Sequence, residues 1–320
     1  MGRHNDDMGA TSGRLPAARG RDADLDGADG FGFDKQRGSR RRWVWGALAV
    51  ALVAMLVGSS FVWRSAADSC GDHSVTVAAD PAIAEVMTEI GKRASADSCY
   101  TFAVESVAGK DIPARLADGD RSPDLWVADS AYQTSRVGAQ VRRTLAEVSP
   151  SVASSPAVIV GRSVADYDSW VDVIGRSDLR VSSPIDSATG NAPIIGAVAG
   201  AGKGKIAPAK LAEAMSAMAV AQNNVRKSDE TDQERLQLAN TSSVLAVTTE
   251  QQYLNFVRVN TGSQLTAKTP ADGTVLLEYP LVNSASEARR ADAAGAGKAL
   301  AAAAASDEGR DLLGNAGFRN

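Results

Sequence analysis

From Ser74 onward, short apolar runs alternate with stretches in which apolar residues recur every three or four positions. Ser74-Val-Thr-Val-Ala-Ala79 reads as a strand. Ile83, Val86, Met87 and Ile90 then share one face of a helix expected over Pro81 to Ala94. Asp80 can cap that helix, and Pro81 suits its first turn. A second strand is expected over 100–105. Ser106-Val-Ala-Gly109 leads from it into a helix ending near Ala117, and Asp124-Leu-Trp-Val-Ala-Asp129 reads as a third strand before a helix that begins near Ser130. Strand and helix in strict alternation predict a parallel sheet with crossover helices.

The pattern continues with a strand at Pro156–Val160, a helix near Ser169–Ile174, a strand at Leu179–Ser183 and a helix from Pro208 to Gln222. Further strands are expected at Val244–Val247 and Val275–Val282. An alanine-rich helical tail runs from Ser286 to Leu313, with Gly295 and Gly297 read as breaks. Gly200-Ala-Gly-Lys-Gly-Lys205 lacks the four-residue spacer of a phosphate loop, and Ile206 stands where Ser or Thr would hold magnesium. It reads as a surface turn.

The first 63 residues follow neither period. Residues 1–42 hold eight Gly, nine Lys or Arg and seven Asp, with few aliphatic side chains, so a disordered tail is expected. Asp22-Ala-Asp-Leu-Asp-Gly27 is no calcium loop, because Phe33 stands where the bidentate acid belongs. Residues 43–63 contain no charge over 21 positions, enough at ~1.5 Å per residue to span a ~30 Å hydrocarbon core. Trp43, Trp45 and Trp63 stand at its ends. Arg37, Arg40, Arg41 and Arg42 precede it and Arg64 alone follows, which predicts a single span, a cytoplasmic N-terminus and an extracellular 64–320 domain. The partner of 43–63 is then the lipid bilayer. Cleavage after Ala67 is the alternative; Asp68 and Ser69 before Cys70 do not form an apolar lipobox.

Composition narrows the chemistry. A net charge of -4 argues against nucleic-acid binding. His4, His73, Cys70 and Cys99 are the whole stock of His and Cys, too few for Cys/His zinc sites or a Ser-His-Asp enzyme, and no cofactor is implied. Cys70 and Cys99 both fall in the exported part, each just before a strand. In neighbouring parallel strands they would lie at one end of the sheet, so a disulfide is expected. Closing a ~30-residue loop, it would contribute roughly 3–4 kcal/mol.

Ser74-Val-Thr-Val-Ala-Ala-Asp-Pro81, Pro123-Asp-Leu-Trp-Val-Ala-Asp-Ser130, Ser154-Ser-Pro-Ala-Val-Ile-Val160, Gly273-Thr-Val-Leu-Leu-Glu-Tyr-Pro-Leu-Val282 and Gly317-Phe-Arg319 carry a resemblance. The chain from residue 70 to 320 resembles type II extracellular solute-binding proteins. Most similar are membrane-anchored bacterial envelope proteins in which this domain often precedes a von Willebrand factor A domain. No Asp-x-Ser-x-Ser motif follows before Asn320, so that second domain is not expected within this sequence. The resemblance implies a bilobed α/β fold: lobe one at 70–154 plus 283–320, lobe two at 155–280, joined by hinge strands Ser154–Val160 and Val275–Val282.

A ligand would sit between the lobes, at strand ends and helix N-termini. Asp80, Ser106, Asp129 and Ser130 follow the first three strands. Ser155 lies at the crossing, Ser187 and Thr189 open a helix in lobe two, and Tyr279 returns along the second hinge. These are the expected ligand-binding residues. Oxyanion binders of this fold usually place small neutral hydroxyls at the first strand end, where this chain has Asp80. The expected function is capture of a small polar or anionic ligand. The alternative is an envelope structural or interaction protein that keeps the fold without a ligand. An enzyme is not expected, since Asp80 with Asp129 is the only carboxylate pair that could share the cleft.

Overall fold

The computed structural model describes residues 73–119, 122–204, 206–223 and 230–319. The expected disordered tail at 1–42, the membrane span at 43–63 and Cys70 lie outside the described residues. Among the described residues, no helix is long and apolar enough to cross a membrane.

The chain opens with β1 (His73–Ala79), α1 (Ala84–Ala96), β2 (Tyr100–Ser106), α2 (Ile112–Ala117), β3 (Leu125–Val127), α3 (Ala131–Val141) and β4 (Ala146–Ser149). A long strand β5 (Ser154–Gly161) leads to α4 (Trp170–Ile174), β6 (Leu179–Arg180), α5 (Ala188–Gly202), α6 (Pro208–Asn223), α7 (Asp232–Thr241), β7 (Leu245–Thr249), α8 (Glu250–Val259) and β8 (Thr266–Lys268). β9 (Leu276–Glu278), β10 (Leu281–Asn283), α9 (Arg290–Ala305) and α10 (Asp307–Asn315) complete it.

Two sheets result, one per lobe. The first has the order β2-β1-β3-β10-β4, and the second β6-β7-β5-β8 with β9 also on β5. β1 runs parallel to β2 and β3, as the strand–helix alternation predicts, and His73 stands opposite Tyr100. Both sheets are covered on both faces, which is why their strands read as nearly continuous apolar runs. In lobe one, Val75, Val77 and Ala79 pack toward α1, α9 and α10, while Ala78, Trp126 and Val282 pack with Ile112, Leu116 and Val137 on the other side. In lobe two, Ala157, Ile159 and Val247 pack with α4, α5 and α6, and Val158, Val160 and Ala246 with α7 and α8.

The hinge departs from expectation. Val275–Val282 is not one strand but two: β9 pairs with β5, and β10 pairs with β3 and β4 in the first sheet. Tyr279-Pro280 is the crossing. Proline has no N–H for a ladder, and the Pro280 carbonyl instead accepts from Ala128 N at 3.0 Å. Tyr279 is bonded on both sides, its N–H to Ala153 O at 3.0 Å and its carbonyl to Val152 N at 2.8 Å.

Gly295 and Gly297 do not break the tail, because α9 runs through both. A Cβ on Gly295 would come within 2.3 Å of the Tyr100 hydroxyl, and one on Gly297 within 3.1 Å of Val148. These glycines let α9 lie close on the sheet. The break falls at Ser306, whose hydroxyl caps α10 by accepting Gly309 N. The glycine-rich Gly200–Lys205 stretch is helical as far as Gly202 before turning at Gly204, where φ is 71°.

Candidate functional site

Three of the expected residues meet where β1 and β3 end and the crossing enters lobe one. Asp80 leaves β1 with its N–H on Val127 O, and its carbonyl accepts from Ile83 and Ala84. The helix therefore starts a turn later than the sequence suggests. Asp80 still caps that turn, with Oδ1 accepting Ala82 N at 3.0 Å. Asp129 follows β3 and is 8% exposed. Tyr279 is 1% exposed, its ring edge-on to Phe318 at 5.3 Å.

Charge is poorly accommodated there. Burial, reinforced by the Asp129 charge, pushes Asp80 up to about 7 against the Ala82 N–H bond. Burial also pushes Asp129 up to about 6, opposed by hydrogen bonds from Ala188 N and the Ser130 hydroxyl and by the more distant Arg136. Burial raises the Tyr279 phenol well above its ordinary value, and both carboxylates add to the effect.

Asp129 also bridges the lobes. Its Oδ2 accepts Ala188 N, in the first turn of α5, at 2.6 Å, while Oδ1 accepts the Ser130 hydroxyl at 3.1 Å. A carboxylate at a helix N-terminus is favourably placed, but here it is the protein's own. Two further contacts cross from α3. Fully buried Gln133 donates through Nε2 to Ile185 O at 2.8 Å, and Arg136 lies 3.5 Å from Asp186. Sequence reasoning missed both residues. Ser130-x-x-Gln133 has the form of a capping box; Gln133 N does bond the Ser130 hydroxyl, but the side chain crosses to lobe two.

Of the other expected residues, Ser130 bonds Asp129 directly and Ser187 precedes the Ala188 N–H that also does, while Ser106, Ser155 and Thr189 bond neither Asp80 nor Asp129. Ser106 is exposed at the end of β2. Ser130 is the N-cap of α3 and touches the cluster only through Asp129. Ser155 is fully buried, and its hydroxyl accepts Gln251 N at 3.0 Å, anchoring α8. Ser187 caps α5 by accepting Thr189 N. Thr189, 4% exposed, turns into lobe two. Its hydroxyl meets Ser187 at 2.7 Å, Ser182 at 3.3 Å and Asp232 at 3.4 Å. Bonds to sequence-distant partners satisfy these hydroxyls, so Thr189 and Ser155 act as internal fasteners. The network around Thr189 includes Arg235, 3% exposed and paired with Asp232, and it was missed because α7 itself was not read. The signal was present as the capping box Thr231-x-x-Glu234.

Among the described residues, no cluster of three or more His, Cys, Asp or Glu could hold a metal ion. The family model for bacterial extracellular solute-binding proteins matches residues 75–319. No curated protein matches the chain. Among solved structures, the periplasmic binding protein AfuA from Actinobacillus pleuropneumoniae, with fructose-6-phosphate bound, is similar at TM-score 0.55 and 12% identity, covering 77% of this chain and 83% of that one. A periplasmic thiamin-binding protein gives TM-score 0.55 at 12% identity over 77% and 82% of the two chains. The periplasmic molybdate-binding protein of Azotobacter vinelandii gives 0.50 at 14% identity over 77% and 99%. At these identities the likeness is one of fold.

Proposed function

The chain belongs to the bacterial extracellular solute-binding proteins, and from that premise we propose that it captures a small polar ligand between its lobes, outside a membrane to which residues 43–63 tether it. The observation that carries this reading is the meeting of Asp80, Asp129 and Tyr279 at the strand ends of lobe one, opposite the N-terminus of α5 in lobe two. Ligands of open α/β folds bind at such strand ends, and two lobes joined by thin crossing segments can close over them. An anionic ligand is less well served than the sequence suggests, because Asp129 already takes the Ala188 N–H.

The test is thermal unfolding of the full chain against panels of amines, amino acids, sugars and oxyanions. A ligand at a hundred times its Kd should add about 2.7 kcal/mol. If no class shifts the transition, the reading fails, and the contacts of Asp129, Gln133 and Arg136 across the lobes would favour an envelope interaction protein instead.

Two further features belong to the proposal. Protease added to intact cells should digest the C-terminal domain and spare a tag at Met1; the reverse pattern contradicts the tether. A Cys70–Cys99 bridge is supported by the register that sets His73 opposite Tyr100 and by the absence of a free cysteine among the described residues. Non-reducing peptide mapping should recover the linked pair, and two alkylatable thiols would exclude it.

A further inference from the structure

The strand ends of lobe one carry two carboxylates and a phenol with no cation among them. Asp80 uses one oxygen on Ala82 N; Oδ2 has no hydrogen bond among the described residues. Asp129 accepts from Ala188 N, the Ser130 hydroxyl and its own backbone N–H. Tyr279 is held by its backbone pairing and by Phe318, and its hydroxyl has no hydrogen-bond partner among the described residues, although the residue is 1% exposed. The hydroxyl is not one of the fully buried unpaired side-chain atoms of the described residues, so it keeps contact with solvent. Here it lies close enough to both carboxylates for their charges to act on it. Arg136 is the one cation that bears on Asp129, and its guanidinium is turned to Gln133 Oε1, through Nε at 3.1 Å and Nη2 at 3.0 Å, and to Asp186.

We infer that Asp80, Asp129 and Tyr279 are the recognition point for the ammonium group of a small organic amine, an inference that rests on the solute-binding reading above. A primary ammonium brings three N–H donors and one positive charge. The free Asp80 Oδ2, an Asp129 oxygen and the Tyr279 oxygen supply three acceptors, and the charge relieves the repulsion between the two acids. Burial raises both, to about 7 and about 6, the Asp129 charge adds to the rise at Asp80, and Arg136 only partly offsets it at Asp129. An oxyanion would add a third negative charge to the same strand ends.

The test uses the full chain in detergent micelles, with calorimetric titration of putrescine and spermidine, of choline as a cation without N–H donors, and of molybdate. Putrescine or spermidine should bind at least tenfold more tightly than choline. Asp80→Asn keeps an acceptor for Ala82 N but removes the charge, and should weaken the amine at least tenfold. Tyr279→Phe removes a single oxygen and should weaken it about threefold, so it serves where Asp80→Asn does not fold. Unchanged amine affinity in either folded variant, or choline bound as tightly as putrescine, would overturn the inference. Molybdate binding without amine binding would overturn it and leave the solute-binding reading standing. No binding by any probe would overturn the inference, and the broad thermal panel then decides the solute-binding reading separately.

Discussion

The strand that begins beside Asp124 ends beside Asp129, and the two carboxylates live in opposite circumstances. Asp124, 4% exposed, accepts Thr76 N at 2.9 Å, the Thr76 hydroxyl at 3.1 Å and both Nε and Nη2 of Arg289, at 2.7 and 3.0 Å. Both oxygens are engaged, and a fork-shaped cation matches the charge. At the far end, Asp129 and Asp80 receive N–H and O–H donors but no guanidinium of their own, and burial raises both. Lobe two also sets a cation against its acid, Arg235 against Asp232, although Arg235 Nε is buried without a partner among the described residues. Where a charge serves the fold, the chain supplies its counter-charge. The C-terminal strand ends of lobe one are where it does not, and in a parallel sheet that is the end where ligands bind.

The largest effect is expected at the balanced end. Asp124→Ala strips four hydrogen bonds and should cost roughly 2–4 kcal/mol, lowering the thermal midpoint by several degrees; an unchanged midpoint would break the contrast. Next comes Gly190→Ala in the first turn of α5. A Cβ there would lie 2.5 Å from Ser182 O and 2.7 Å from Ser183 O, so overpacking of about 1–3 kcal/mol is expected. If calorimetry finds no loss, α5 is not fixed as tightly as the Asp129 bridge requires.

The unbalanced end predicts a pH dependence. Asp80 and Asp129 are raised from 3.8 to about 7 and about 6, so between roughly pH 4 and 7 the folded state binds more protons than the unfolded one. Their contribution is most favourable below 3.8 and is lost as pH rises through 6 and 7. Chemical unfolding of the ligand-free chain should therefore show lower stability at pH 8 than at pH 5, and less so in Asp80→Asn. The groups facing Asp80 are Asp129 and Tyr279, and Asp129 also feels Arg136. Stability rising over that interval would contradict the account. The smallest effect is at Ser130→Ala, where losing a helix cap costs about 1 kcal/mol; a much larger loss would mean Ser130 does more than cap α3 and steady Asp129.

Much of lobe one was legible. Its strands are apolar runs bounded by Asp and Ser, and Ile83, Met87 and Ile90 at helical spacing are fully buried. The resemblance implied one cleft for Asp80, Asp129, Tyr279 and five other residues; of these, Asp80 and Asp129 follow neighbouring parallel strands. The rest depends on contacts between distant residues. Nothing local marks Gly295 as permitted in a helix until Tyr100 is seen against it. Thr189 and Ser155 carry the same hydroxyls whether they face a cleft or a neighbouring backbone, and only packing decides. Gln133 hid inside a capping motif while its amide reached Ile185. The helices α7 and α8 were passed over because polar residues interrupt their apolar positions.

The most direct test sets the two ends against each other: thermal unfolding of ligand-free Asp80→Asn and Asp124→Asn at pH 8, beside the parent chain. Removing a charge that has no partner should raise the midpoint, since the amide still accepts from Ala82 N, whereas removing the charge that Arg289 and Thr76 surround should lower it. Opposite signs are the expected result. Two midpoints lowered alike would contradict the claim that the chain leaves its carboxylates unbalanced at one end of the sheet.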